Sequence, residues 1–253
     1  SSVAYSGLVS GDTFNGSYTG AFSDKNVDSG KTVTITSSYT GADVGNYSVT
    51  DQSTTTANIT AKALTVSGIT SSSKTYDATT SASLNTGSVS YGGLVFGDNL
   101  TGTYGGVFTN ANVGSGKTVT ITSSYSGADV NNYTITDQAS TTADVIAKAL
   151  TATASASNKV CDGSSTATST LSLSGFIGSE TVTSTNSSTF NNKNVGPNKT
   201  VTVNSITLAD GSNDGLASNY SISTGQTTTA NVTTKALTAV SYTHLRAHET
   251  FGY

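Results

Sequence analysis

The chain has 253 residues and a formal net charge of −4, enough length for one or two ordinary domains. Only 10% of the residues are charged and 34% are hydrophobic, with a single proline, which excludes a charge-rich disordered segment and a Pro-rich or collagen-like one. The scattered lysines form no basic patch, so nucleic acid is not an expected partner; no apolar run is long enough for a membrane-spanning helix, and the lone cysteine, Cys161, excludes an internal disulfide.

Along the chain, short apolar runs end in Gly/Asp turns, the first at Gly11-Asp12. Thr32-Val33-Thr34-Ile35-Thr36 alternates polar and apolar, so a strand is expected there with Val33 and Ile35 facing a core. A turn at Gly41-Ala42-Asp43 precedes a further strand around Tyr47 and Val49. No segment carries a sustained helical period, and Thr and Val fill the candidate strands. At Lys62-Ala63 the apolar parity flips: Ile59 and Ala61 are odd-numbered, Leu64 and Val66 even-numbered. A strand that leaves one core and enters the next must flip in this way, because a one-residue shift changes the face.

From here the chain repeats itself. Residues 116–143 match residues 30–57 at 22 of 28 positions, at an offset of 86. A diverged third copy runs from Asn198 to Ala230. Asn46-Tyr47, Asn132-Tyr133 and Asn219-Tyr220 mark equivalent places, and Lys-Ala-Leu-Thr recurs at Lys62, Lys148 and Lys235. The expected repeats are residues 1–62, 63–148 and 149–239, the first lacking its opening quarter. They join with almost no linker, like beads on restricted hinges. Many short strands with Gly/Asn/Asp turns predict an all-β chain of small β-sandwich modules in an elongated string.

The second repeat opens with KTYDATTSA (74–82) and the third with KVCDGSSTA (159–167). These resemble the Lys-x-Tyr-Asp-Gly-Thr-Thr opening of the YDG repeat domain. Residues 112–119 (NVGSGKTV), residues 127–133 (GADVNNY) and the closing Ala-Lys-Ala-Leu-Thr fit the same pattern. Ala78 stands where the family usually has Gly, and Cys161 where it has Tyr. The resemblance implies Ig-like sandwich modules from a large secreted bacterial adhesin similar to filamentous haemagglutinins, located at the cell surface. It implies no catalytic residues.

Residue chemistry agrees with a non-enzyme, so no catalytic, cofactor-binding or metal site is assigned. Cys161 has no base near it in sequence and aligns with Tyr76, a packing position. Gly114-Ser115-Gly116-Lys117-Thr118 lacks the earlier Gly of a phosphate loop and runs into a strand, so it is a turn. Lys74 and Asp77, like Lys159 and Asp162, sit three apart and are expected as a solvated lysine with a turn aspartate; a Lys–Asp contact or crosslink is the alternative. Asp12, Asp43, Asp98 and Asp129 recur at turns, where calcium is the one conceivable ion. The Asn-x-Ser/Thr triplets at Asn46, Asn132 and Asn219 are read as chance, and Tyr5, Tyr18, Tyr91 and Tyr104 as core or half-buried sheet positions.

Residues 240–253 stand apart. They hold both histidines, His244 and His248, and the sole arginine, Arg246. SYTHLRAHET resembles translated sequencing-adapter read-through, so this tail is expected to be non-native. The expected function is a structural stalk or spacer of monomeric modules without a cofactor. The competing reading is a set of modules that themselves bind host glycans or proteins.

Overall fold

The computed structural model describes residues 3–241; the expectation for the tail from Tyr242 onward lies outside the described residues. Strands and turns make up the described chain, with three single-turn 3-10 helices and no α-helix. The first repeat contributes β1 (Asn15–Phe22), β2 (Asp28–Thr40) and β3 (Thr54–Ile59). The second opens with β4 (Lys62–Ser67), then the short strands β5 (Thr70–Ser71), β6 (Lys74–Thr75), β7 (Ser81–Ala82), β8 (Leu84–Asn85) and β9 (Ser90–Gly92). It continues with β10 (Thr101–Phe108), β11 (Gly114–Ser126), β12 (Tyr133–Thr136) and β13 (Ser140–Ile146). The third begins with β14 (Lys148–Ala156), β15 (Lys159–Val160), β16 (Thr166–Ala167) and β17 (Ser169–Ser174). It ends with β18 (Val182–Phe190), β19 (Gly196–Asp210), β20 (Tyr220–Ile222) and β21 (Thr227–Thr233).

Two compact units emerge, and their edges differ from those of the sequence repeats. One is built from the residues up to Ser72, Ser81–Thr109 and Thr118–Ala143; the other from Ser73–Thr80, Asn110–Lys117 and the chain from Asp144 onward. The first unit therefore contains the join between the first and second repeats. The second unit contains the join between the second and third.

In the first unit, β1 and β2 form an antiparallel hairpin in register Phe22↔Val33, and β10 and β11 repeat it in register Phe108↔Val119. Alternation does what it was expected to do: Val119 and Ile121 are buried while Thr118, Thr120 and Thr122 face solvent. A second, smaller sheet has the order β12-β4-β9. Its Leu64 and Val66 are fully buried and pack with Ile69, Ile121 and Tyr133, so the core lies between side chains of the two sheets. Burying a Leu or Val of this kind contributes roughly 1.5–3 kcal/mol.

The central strand of that small sheet is the Lys-Ala-Leu-Thr segment. β4 runs parallel to β12, Tyr133 opposite Lys62 and Ile135 opposite Leu64. In the second unit β14 runs parallel to β20, Tyr220 opposite Lys148 and Ile222 opposite Leu150. The parity flip is present in both units. Ile59 is half-buried and Leu64 buried across the first join; Val145 and Leu150 are both buried across the second. Only Thr60 and Ala61 separate β3 from β4, and only Ala147 separates β13 from β14.

One expected strand does not form. Tyr47–Thr50 is irregular, whereas its counterparts Tyr133–Thr136 and Tyr220–Ile222 are strands. Those counterparts owe their extended pairing to a parallel Lys-Ala-Leu-Thr strand. Among the described residues the first repeat offers none, so the backbone groups of Tyr47–Thr50 have no ladder to join.

The second unit also holds the sheet β15-β21-β19-β18-β16. Val201 and Val203 are fully buried there, with Phe190, Ala230 and Val232 beside them. β15 pairs in parallel with β21 at Lys159↔Val232, as β6 does with β13 at Lys74↔Val145.

Candidate functional site at the repeat joins

The polar residues that recur in register converge on the places where one repeat meets the next. Each join has two sides. One side is an Asn-Val loop at the far end of a repeat: Asn26-Val27, Asn112-Val113 and Asn194-Val195. The other is the Asn-Tyr step at the near end of the following repeat.

The loop is shaped locally before it docks. In the first repeat Asp24 accepts the Asn26 N–H at 2.7 Å, and the Lys31 ammonium donates to the same carboxylate at 2.5 Å. In the second, Asn110 accepts the Asn112 N–H at 3.0 Å, and Lys117 donates to Asn110 at 2.5 Å and to the Asn112 carbonyl. The third repeats the turn with Asn192, Asn194 and Lys199, whose ammonium also reaches the Asn194 carbonyl at 2.5 Å. These are side-chain turns of the Asx type. The lysine of the Gly-Lys-Thr stretch thus ties down a loop, and residues 114–118 are the first residues of β11, which corrects their reading as a turn; the antiparallel ladder claims them, and only Gly116, at φ 58°, departs from extended backbone. Burial lowers the Lys117 pKa, and the nearby Lys74 charge lowers it further.

Docking is a reciprocal amide clamp. At the first join the Val27 N–H donates to Asn132 Oδ1 at 2.9 Å, and Asn132 Nδ2 donates to Asn26 Oδ1 at 3.1 Å. At the second join the Val113 N–H donates to Asn219 Oδ1 at 2.9 Å, and Asn219 Nδ2 donates to Asn112 Oδ1 at 3.1 Å. The two joins thus share the same pair of distances. Asn219 is fully buried and Asn132 half-buried, while Asn46 of the first repeat is exposed. The sequence offered these Asn-Tyr steps only as repeat markers. Their partner, the Asn-Val pair about 106 residues earlier, lies too far away in the chain for any local pattern to connect.

Around the clamp the two joins use different chemistry. At the first, the Lys25 ammonium lies 2.5 Å from Asp98 and 2.6 Å from Asp129. Lys25 is 60% exposed, yet the two carboxylates are only 9% exposed, so the pair is half in water and half out. The Tyr133 hydroxyl donates to Asp98 at 2.5 Å and the Asn99 N–H donates to Asp129 at 2.8 Å. The Lys25 hydrogen bond, then that of Tyr133, holds the Asp98 carboxyl below its usual range. The Asn99 N–H, then Lys25, does the same for Asp129. Both carboxylates push the Lys25 ammonium well above the ordinary lysine range.

The second join has Ala111 where the first has Lys25. Here Tyr76 and Tyr220 stack edge to face at 5.7 Å and both donate to Glu180, at 2.9 and 2.6 Å. Burial, and then the Glu180 contact, pushes the Tyr76 hydroxyl up to about 12. Tyr76 is the tyrosine of the Lys-x-Tyr-Asp opening, so that motif carries a docking residue.

The remaining candidates fall into place. Lys74 is largely buried and paired with Asp77 at 2.7 Å, and Lys159 with Asp162 at 2.8 Å. This corrects the expectation of a solvated lysine: each ammonium also binds the following Thr or Ser, closing a small loop. The Lys159 hydrogen bond, then the Ser164 N–H, lowers Asp162 to about 2. The residue after that aspartate is left-handed in both copies, Ala78 at φ 60° and Gly163 at φ 85°. Cys161 is half-buried beside the Val201 cluster, its thiol 3.8 Å from the Lys193 carbonyl. Tyr91 and Tyr104 bond hydroxyl to hydroxyl at 3.0 Å against the core. Asp12 and Asp43 repeat the second-repeat geometry: Tyr47 donates to Asp12 at 2.6 Å and the Thr13 N–H to Asp43 at 2.8 Å. Among the described residues no lysine pairs with either, and no group of three or more His, Cys, Asp or Glu side chains gathers.

The model of the YDG domain matches this chain three times, over residues 1–57, 60–143 and 146–230. No curated protein and no solved structure gave a match.

Proposed function

We propose that this chain, which belongs to the YDG domain family, is a non-catalytic structural spacer of a secreted bacterial surface protein of the adhesin type. Its repeats are read as small Ig-like β-sandwiches set in an elongated string, held away from the cell. The observation that carries this reading is the reciprocal Asn clamp, made with the same atoms at both joins. A spacer needs joins that repeat; it needs no unique pocket. Linkers of one or two residues support the same reading, because they leave little freedom between neighbours. No cofactor is required: between Asp98 and Asp129 the cation is the Lys25 ammonium. A melting temperature unchanged by chelator or added calcium is the expected result, and a calcium-dependent rise contradicts it.

The spacer reading is tested by a glycan array and a host-cell adhesion assay on this chain. Absence of binding is expected. Saturable binding to a glycan or host protein would replace the spacer with a directly adhesive module. Residues 240–253 are set aside as non-native; re-sequencing that finds a continuous reading frame through them returns them to the protein.

A further inference from the structure

In the second and third repeats the opening and closing segments lie side by side and run in the same direction. In the third, β14 is parallel to β20, with Lys148 opposite Tyr220 and Leu150 opposite Ile222. Further along both segments β15 is parallel to β21, with Lys159 opposite Val232 and Val160 opposite Thr233. Bonds outside the ladders tie the same two segments together. The Asn231 N–H donates to Asn158 Oδ1 at 2.7 Å, and the Cys161 N–H donates to the Thr233 carbonyl at 2.9 Å. The second repeat has the same seam, β4 on β12 from Lys62↔Tyr133 and β6 on β13 at Lys74↔Val145. There the Gln138 amide bridges the two segments, accepting the Ile69 N–H at 2.9 Å and donating to the Ile69 carbonyl at 2.7 Å.

A parallel seam places the start of the opening segment and the end of the closing segment at opposite ends. Tension that enters the third repeat at Ala147 pulls β14 toward its N-terminus. Tension that leaves after Thr233 pulls β21 toward its C-terminus. The two segments are thus driven to slide past each other. Sliding loads every bond of the seam at once, whereas peeling from one end loads them one after another. Each bond is weak alone, but forced unfolding is governed by the barrier, and sliding requires the bonds to fail together. Ala147 alone separates β13 from β14, so tension reaches the seam without slack. We infer that these repeats bear load: the paired opening and closing strands are a mechanical lock against tension along the chain. This load-bearing role rests on the spacer reading, whereas the resistance of the seam follows from its topology.

The test pulls single molecules of the full chain in two directions, in a Cys161→Ser background with cysteine handles. Ala147→Cys with Thr234→Cys loads the third-repeat seam by sliding. Ala147→Cys with Ser218→Cys holds the two N-terminal ends of β14 and β20 and peels them apart from Lys148↔Tyr220. All three handle positions lie outside the strands, and Thr234 and Ser218 are exposed. At about 3.3–3.6 Å for each residue released, the step length identifies the segment that opened. A several-fold higher unfolding force is expected for the sliding pair than for the peeling pair at the same pulling speed. Equal forces in the two directions, or a lower force for sliding, overturn the inference. They leave the spacer reading standing, whereas saturable binding in the adhesion assay removes the spacer and leaves the difference between directions.

Discussion

Three asparagines at equivalent positions are a controlled comparison within one chain. Asn219 is buried and makes both clamp bonds, Asn132 makes the same bonds half-buried, and Asn46 is exposed. Replacing a buried amide strands its partners, so Asn219→Ala is expected to cost about 1–3 kcal/mol. Asn132→Ala costs less, and Asn46→Ala stays within about 0.5 kcal/mol, as at an ordinary surface site. Denaturant titration of the three variants checks the order. Ala78 offers the opposite kind of change. At φ 60° its Cβ crowds the backbone, and Gly163 occupies the same place in the third repeat. Relief of that crowding outweighs the extra freedom of an unfolded glycine, so Ala78→Gly is expected to stabilise by about 0.5–1 kcal/mol in the same titration. Here the sequence was readable: Ala in place of the family's Gly marked the position, though only the backbone angle gives the mark its energy.

At the scale of elements, the strands were legible and their partners were not. Val33 and Ile35 against their threonines announced β2, because alternation is a local property. The parallel pairing of β4 with β12 spans about 70 residues, which no window of alternation contains. That long-range pairing also explains the strand expected at Tyr47 that does not form. The joins differ in their response to pH, and the sign follows from each shift. Asp98 and Asp129 are held below their ordinary values, so their contribution is present above about pH 4 and is lost as pH falls through the depressed values. Lys25→Met is therefore expected to flatten the acid limb of a melting-temperature profile. The Tyr76 hydroxyl is raised to about 12, so its contribution is complete below about pH 10 and is lost as pH rises toward 12. Tyr76→Phe flattens the alkaline limb and leaves the acid limb unchanged.

For the whole molecule, repetition was the plainest signal in the sequence, and it carried the family with it. The function of the repeating marks was hidden, because Asn26-Val27 and Asn132-Tyr133 are two halves of one contact that meet only after folding. Two joins built to one plan support the proposed spacer, for which an elongated string of repeats is the expected shape. Small-angle X-ray scattering of the chain, at concentrations where its scattering mass is that of one copy, tests that most directly. A compact chain of this length has a radius of gyration of about 18 Å. The account predicts a value well above that and a distance distribution with a long tail, unchanged between low and moderate salt. A value near 18 Å with a symmetric distribution would contradict it.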